Sequence, residues 1–219
     1  IPDMDYGCLL MNKKEYFEDV STPSGLALMC GQYTGWGGLL FDYDNDGLLD
    51  VFVANGDPHK EFGEEAVLAR NVGERKFVDV AKDSGPYFEE EYVGRGAACG
   101  DFDNDGDLDL FSANGHVYPI IDQYDVGTSY ARRNHLMDND GTGRFTEIGA
   151  SLGPDMEAKR VSRGAAFGDI DNDGDVDVAV LNADSTPSLL RNDGGNRRHW
   201  LQVTTVGSRS NWDGIGARV

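Results

Sequence analysis

Polar turns interrupt the apolar residues of the chain every few positions, and this pattern predicts short strands. Segments 9–20, 68–80 and 136–148 each contain an apolar pair, a turn rich in Asn and Gly, and then alternating apolar and polar residues that start at a phenylalanine. A shorter copy of the same pattern occupies 189–195. Alternation across a short polar turn is typical of a β-hairpin, so the sequence predicts a recurring hairpin.

A second hairpin pattern alternates with the first and is repeated three times. Segments 37–55, 96–114 and 164–182 each begin with Gly, contain the motif D-x-D-x-D-G-x-x-D and end with Asn. Short apolar strands flank each acidic loop. After the first loop, for example, Leu49, Val51 and Val53 alternate with Asp50 and Phe52.

The spacing of these patterns predicts an all-β fold. Asp42, Asp101 and Asp169 begin the three motifs and lie 59 and 68 residues apart. Two hairpins in a unit of about 60 residues make one four-stranded antiparallel sheet, and repeated sheets of this kind are the blades of a β-propeller. The chain is expected to hold about three blades of an incomplete propeller. An open β-solenoid is the alternative, but the long and irregular spacing fits it less well.

Within these repeats, small residues before the second and third acidic loops suit strands that are crowded near a central axis; they are Ala97, Ala98, Ala165 and Ala166. The long stretches 56–67 and 115–135 are predicted insertions. The second insertion is either a binding surface or a packed Ω-loop that covers one blade, and its candidate anchors are Tyr118, Tyr124, Tyr130, Arg132 and Arg133.

Composition narrows the possible functions. The 219 residues include 39 acidic and 19 basic side chains, for a net charge of -20, which argues against a nucleic-acid partner. No apolar run reaches the roughly 20 residues that span a bilayer. The first residues do not resemble a signal peptide, although a removed leader stays open. Residues 196–219 contain four arginines and one aspartate, so we expect one domain at 1–195 and part of another at 196–219.

The acidic loops are predicted metal sites. Carboxylates at positions 1, 3, 5 and 9 of a tight loop can converge, and Gly at position 6 permits the turn, as in other calcium loops. Position 7 would add a backbone carbonyl. A hard cation that prefers oxygen ligands would fit these carboxylates and the carbonyl, whereas Zn²⁺ prefers His or Cys. The predicted ligands are Asp42, Asp44, Asp46, Leu48 and Asp50 in the first loop, Asp101, Asp103, Asp105, Asp107 and Asp109 in the second, and Asp169, Asp171, Asp173, Asp175 and Asp177 in the third.

About three Ca²⁺ ions are therefore expected. Magnesium is the alternative ion but prefers more water and fewer carboxylates, and the alternative without a metal is a solvated acidic turn. An EF-hand needs Glu at position 12 and helices on both sides; here position 12 is Val53, Ser112 or Val180.

The loops resemble the FG-GAP/VCBS repeats of integrin-α-like propellers. Residues 95–119 resemble the cartilage-acidic-protein family, and residues 196–219 resemble the opening of an ASPIC/UnbV domain. The resemblance implies calcium in a loop between blade strands and a secreted, periplasmic or cell-surface location. Further blades or subunits would complete the ring.

A non-catalytic function is expected from these features. The chain lacks a nucleophile elbow, a P-loop, a dinucleotide fingerprint and a metalloprotease helix motif. We expect a binding, adhesion or assembly module whose ligand is a protein or a carbohydrate. The alternative is a secreted enzyme or biosynthetic accessory protein with a propeller pocket. His116 is expected to have a structural role in a turn, with ligand contact as its alternative.

The three cysteines allow one disulfide. Cys99 is expected to be a buried free thiol in the strand before the second loop. Cys8 and Cys30 could pair in an oxidising compartment, and the sequence leaves this pairing open.

Overall fold

The computed structural model describes residues 9–58, 63–195, 203 and 205–208. Its strands are β1 (Leu10–Asn12), β2 (Phe17–Asp19), β3 (Gly35–Phe41), β4 (Asp50–Asn55), β5 (Val67–Asn71), β6 (Phe77–Asp79), β7 (Gly94–Gly100), β8 (Asp109–Asn114), β9 (His135–Asn139), β10 (Phe145–Glu147), β11 (Ser162–Gly168), β12 (Asp177–Asn182) and β13 (Ser188–Leu190).

Helices are short. They are α1 (Ser21–Ser24), α2 (Leu26–Cys30) and α3 (Pro154–Glu157), with 3-10 turns at Ala81–Asp83, Pro86–Glu89, Pro119–Gln123 and Gly149–Ser151. In the part of the chain that the structure describes, none of the helices has the length and apolar character to cross a membrane.

The strands form successive antiparallel sheets, which confirms the all-β prediction. Strands β3 to β6 make one four-stranded sheet and β7 to β10 make a second, each in chain order. Strands β11 to β13 make a three-stranded sheet within the described residues, and β1 pairs with β2 as a separate hairpin. Each acidic hairpin therefore opens a sheet and the second hairpin extends it. Separate antiparallel sheets of this kind are propeller blades, so the solenoid alternative is wrong.

The three blades pack face to face, and the core lies between them. Phe41, Phe52 and Leu68 of the first blade meet Leu110 and Met137 of the second. A second cluster joins the second blade to the third; it includes Phe111, Leu136, Val178 and Val180. Burial of these apolar side chains is the main favourable term that holds the blades together.

Strand β4 is buried more fully than a simple alternation predicts. Phe52 has no exposed surface and Val51 is 9% exposed, because a neighbouring blade covers one face and α2 helps to cover the other. Leu49 belongs to the loop and is 53% exposed. The strand prediction is confirmed, but its pattern comes from burial on both faces.

The glycine that opens each repeat has a packing role in the first two blades. A Cβ atom on Gly37 would lie 2.6 Å from the Ala97 backbone nitrogen, and one on Gly96 would lie 2.5 Å from the Arg163 carbonyl oxygen. Such distances are below any normal Cβ contact, so the inner strands β3, β7 and β11 approach too closely for a side chain. Gly164 holds the same position in the third blade, and a Cβ there would meet nothing within 4 Å.

Polar contacts join the blades at the end opposite the acidic loops. A register irregularity separates Gly94 from Gly96, and the intervening Arg95 lies over the Trp36 ring with its Cζ 4.5 Å from the ring centroid. Arg95 Nη1 and Trp36 Nε1 both donate to the Gly56 carbonyl. In the next blade Arg163 Nη2 donates to the carbonyl of His116 at 3.0 Å. In both cases an arginine of one blade binds a backbone carbonyl of the blade before it, just after the second strand of that blade.

The outer faces of the first and third blades leave apolar side chains exposed. Leu40 is 55% exposed and points away from the second blade, because its neighbour Leu39 packs toward that blade. Leu181 and Leu189 of the third blade are 62% and 58% exposed for the corresponding reason. The arrangement is consistent with an incomplete set of propeller blades.

Two cysteine predictions have different outcomes. Cys99 carries a free thiol but is half-buried, because it points toward the rim of the core between the first two blades. Cys30 is buried in α2. Cys8 lies outside the described residues, so its pairing with Cys30 stays a prediction.

Replacing Gly96 by Ala should destabilise the fold by about 1–3 kcal/mol, because the new methyl group collides with backbone that cannot move out of its way. Gly164→Ala is the matched control. It should leave the free energy of unfolding unchanged or raise it by about 0.4–1 kcal/mol, since alanine restricts the unfolded chain. Denaturant unfolding of both variants measures the difference. Equal midpoints for the two variants would contradict the close inter-blade contact.

Candidate metal centre

The three acidic loops occupy the same position in the three blades. They connect β3 to β4, β7 to β8 and β11 to β12. In the first loop Asn45 and Gly47 adopt left-handed backbone angles, with φ of 56° and 85°. Asparagine and glycine tolerate this conformation best, and the corresponding residues of the other loops share it; they are Asn104, Gly106, Asn172 and Gly174.

Carboxylates inside each loop hold the tight turn through backbone amides. Asp42 accepts hydrogen bonds from the N–H groups of Asp46 at 3.0 Å and Gly47 at 2.8 Å. Asp46 in turn accepts from the N–H of Leu48 at 2.8 Å. The other two loops repeat these bonds at 2.9–3.2 Å, and the accepting carboxylates are those of Asp101, Asp105, Asp169 and Asp173.

The carboxylates of positions 1, 3 and 9 converge in every loop. One oxygen atom from each lies within 4.8 Å of the others, and the three groups are Asp42, Asp44 and Asp50; Asp101, Asp103 and Asp109; and Asp169, Asp171 and Asp177. In the described ranges these groups contain aspartate alone, without His or Cys. Clustered carboxylate oxygens favour a hard cation over zinc.

The remaining predicted ligands have other contacts in the structure. The carboxylates of position 5, which are Asp46, Asp105 and Asp173, lie outside the convergent groups and bind the position 7 amides instead. At position 7, Leu48 is exposed and Asp175 is buried. The Asp107 carboxylate accepts a 2.6 Å hydrogen bond from Asn45 of the preceding blade. Metal contact through the position 7 carbonyls stays a prediction.

The position 9 carboxylate connects the acidic loop to the outer hairpin of its blade. Asp109 is 1% exposed and accepts from the N–H of Phe102 in the loop at 2.7 Å and from the N–H of Asn139 in the outer hairpin at 2.9 Å. Asp50 and Asp177 make the same pair of bonds at 2.7–3.2 Å. Burial raises the pKa of Asp50 to about 6 and that of Asp109 to about 7 despite these bonds.

Asp44 supplies the clearest fit to a cation. Its Oδ1 atom is buried and accepts no hydrogen bond from the described residues. Burial, with a further contribution from the Asp46 and Asp42 charges, raises the pKa of Asp44. A desolvated carboxylate oxygen that faces two other carboxylates is stabilised by a positive ion, so the donor set of the first loop fits a divalent cation.

Sequence reasoning missed the asparagines that join the blades around these loops. Asn139 Nδ2 donates to the Leu108 carbonyl of its own blade at 3.2 Å and to the Tyr43 carbonyl of the preceding blade at 2.8 Å. Asn192 repeats the inter-blade bond to Phe102 at 2.8 Å. Asn139 is the last residue of the third strand of its blade, and Asn192 lies two residues after the third strand of the next blade. Their recurrence after an apolar pair is the signal that could have identified them.

Asparagine at position 4 of the acidic loops makes a second set of inter-blade bonds. Asn45 Nδ2 donates to the second loop through Asp107, and Asn104 Nδ2 donates to the Gly174 carbonyl of the third loop at 3.1 Å. The candidate metal loops are therefore connected to one another across the blade interfaces.

Replacing Asn139 by Ala should lower the free energy of unfolding by about 2–4 kcal/mol, because it leaves the buried Tyr43 carbonyl and the half-buried Leu108 carbonyl without their donor. Asn12→Ala is the control, since Asn12 holds the same place in the β1–β2 hairpin. Its exposed side chain accepts a hydrogen bond from the N–H of Lys14 and makes no inter-blade bond among the described residues. That variant should lose less than about 1 kcal/mol. Chemical denaturation of both variants measures the effect, and an equal loss of unfolding free energy in the two would contradict the inter-blade role of Asn139.

Comparison with known proteins agrees with this geometry. A search of curated proteins found none that matches this chain. The family model described as an FG-GAP-like repeat matches residues 42–112 and 124–180. The first match begins at the first acidic loop, and the second ends in β12, after the third loop. Together they cover more than half of the sequence. The chain belongs to the FG-GAP-like repeat family.

Proposed function

We propose that this chain is a calcium-stabilised propeller module that acts outside the cell in binding, adhesion or assembly. The observation that carries the proposal is the threefold recurrence of the same aspartate triad, with ligand atoms within 4.8 Å in each loop. Solvated acidic turns have no reason to repeat one convergent geometry. Like charges at such separations repel, and a bound divalent cation offsets that repulsion.

Calcium would be held in each loop by the carboxylates of positions 1, 3 and 9. The position 5 carboxylate and the position 7 carbonyl remain candidates for further ligands, and water would complete the six to eight oxygens that calcium prefers. The ion supplies positive charge and no redox chemistry. Its effect on this chain is to stabilise the loops and, through the position 9 aspartates, the outer hairpins of the blades.

A role in recognition rather than catalysis is part of the proposal. FG-GAP-like repeats often form binding modules, and the ligand would be a protein or a carbohydrate. His116 supports this, because it is 2% exposed and its Nδ1 accepts a 3.0 Å hydrogen bond from the Tyr118 N–H, as a structural turn residue would. Membership of the cartilage-acidic-protein group, with 196–219 as the start of an ASPIC/UnbV domain, belongs to the same proposal.

Further blades or subunits would cover the two open faces of this set of blades. Leu40, Leu181 and Leu189 are exposed apolar side chains on those faces, and an unpaired sheet with such a surface tends to associate. A closed ring would bury these leucines as Phe52 and Phe111 are buried between the described blades.

Adding calcium to the chelated protein should raise its melting temperature, and Mg²⁺ should do so only weakly. Each site contributes about 2.7 kcal/mol when free calcium is a hundred times Kd, and each 1 kcal/mol corresponds to about 2–4 °C in a chain of this size. Differential scanning calorimetry in chelator, calcium and magnesium measures the three states.

Asp44→Asn separates metal binding from a structural role of the same side chain. In chelator the variant should melt at or above the temperature of the original protein, because one repelling charge is gone. In calcium it should recover about one third less stabilisation, since one of three sites is impaired. Asp155→Asn, at an exposed acid of α3, removes the same charge and should match the original protein in both conditions. No calcium-dependent change in melting would refute the proposal.

A further inference from the structure

A cationic cavity lies beside the second blade, away from the acidic loops. Its volume is about 230 Å³, and it is lined by Tyr92, Val93, Asn114, Ser129, Arg132, Arg133, His135 and Lys159. Three of these side chains are basic and none is acidic, in a chain whose net charge is -20. The cavity is located where strand β8 ends and β9 begins, at the end of the blade opposite the loop that joins β7 to β8.

Two of the three cations have no ion pair within the described residues. Arg133 is compensated, because its guanidinium binds Glu147 through two hydrogen bonds at 2.9 and 3.1 Å. Among the described residues, the Arg132 side chain donates one long hydrogen bond, 3.3 Å from Nη1 to Thr128 Oγ1, and Lys159 is exposed. On α3, Glu157 lies 4.0 Å from Arg133 Nε. Arg132 and Lys159 thus leave positive charge at the cavity.

A buried histidine adds an oriented hydrogen-bond donor. Asn114 Nδ2 donates to the Arg133 carbonyl at 3.0 Å, which fixes the amide orientation, and the same Nδ2 lies 3.1 Å from His135 Nδ1. His135 Nδ1 is therefore the acceptor, and the proton of the neutral ring is on Nε2. Burial, assisted by the Arg133 charge and by Arg132, lowers the pKa of His135 to about 4 against the opposing charge of Glu147. His135 Nε2 has no hydrogen-bond partner among the described residues.

We propose that this cavity binds a small oxyanion, a carboxylate or a phosphate monoester carried by a larger ligand, through Arg132, Lys159 and the Nε2–H of His135. All three groups are donors, and guanidinium and ammonium groups bind anionic oxygens more strongly than neutral ones. The volume admits a single anionic group of this size. The inference rests on the proposed binding role and gives it a ligand class, but it uses none of the candidate calcium ligands.

Nuclear magnetic resonance of the histidine side chains tests the proposal in the calcium-loaded full chain. Methyl phosphate and sodium acetate are titrated separately at constant ionic strength, with sodium chloride as the reference salt. The His135 Nε2 resonance should shift saturably with at least one of the two oxyanions, whereas the resonance of His116, a buried ring outside the cavity, should not follow it. Preference between methyl phosphate and acetate distinguishes a phosphate source from a carboxylate source.

Matched variants test whether the cavity side chains cause the anion-dependent shift. Arg132→Gln and Lys159→Gln should each weaken binding of the preferred anion by about tenfold, as loss of one charge-assisted contact implies. Lys82→Gln removes the same charge from an exposed position outside the cavity and should bind as the original protein does. Shifts that follow total salt, or unchanged binding in both cavity variants, would overturn the proposal. A stable, calcium-responsive protein with either result would leave the calcium proposal intact, so the two failures are distinguishable.

Discussion

The buried carboxylate at position 9 of each acidic loop is the interaction on which the structure most depends. Asp50, Asp109 and Asp177 each accept one N–H from the loop and one from the outer hairpin, so a single side chain joins both halves of a blade. Burial still raises the pKa of Asp50 and Asp109. In these two aspartates the amide hydrogen bonds therefore do not offset the loss of water, and a bound cation would stabilise the ionised form.

Contacts between the blades connect each acidic loop to its neighbours. Asn45 and Asn104 connect successive loops, and Asn139 and Asn192 connect each outer hairpin to the preceding blade. The same interfaces bury the aromatic core between the sheets. A cation that orders one loop would consequently stabilise contacts in two blades. At the opposite end, Arg95 and Arg163 join the blades through hydrogen bonds to backbone carbonyls of the preceding blade.

Much of this organisation could be predicted from the sequence because it is repeated. Three copies of the acidic motif gave the blades, and the spacing of Asp42, Asp44 and Asp50 gave the convergent carboxylates. The full burial of Phe52 could not be predicted, because it depends on a neighbouring blade that periodicity within one strand does not reveal. Asn139 was missed for a similar reason, since its bond to Tyr43 joins residues 96 positions apart. The cationic cavity also depends on tertiary contacts, as Arg132 and Lys159 come from different connections between strands.

Hydrogen exchange measured by mass spectrometry, with and without calcium, tests most directly whether the cation connects loop, hairpin and neighbouring blade. If the account is correct, calcium slows exchange in the acidic loops and also in the outer hairpins at 71–77 and 139–145, because the position 9 aspartates bind the Asn71 and Asn139 amides. Protection confined to the loops, with the outer hairpins exchanging at the same rate in both conditions, would contradict it.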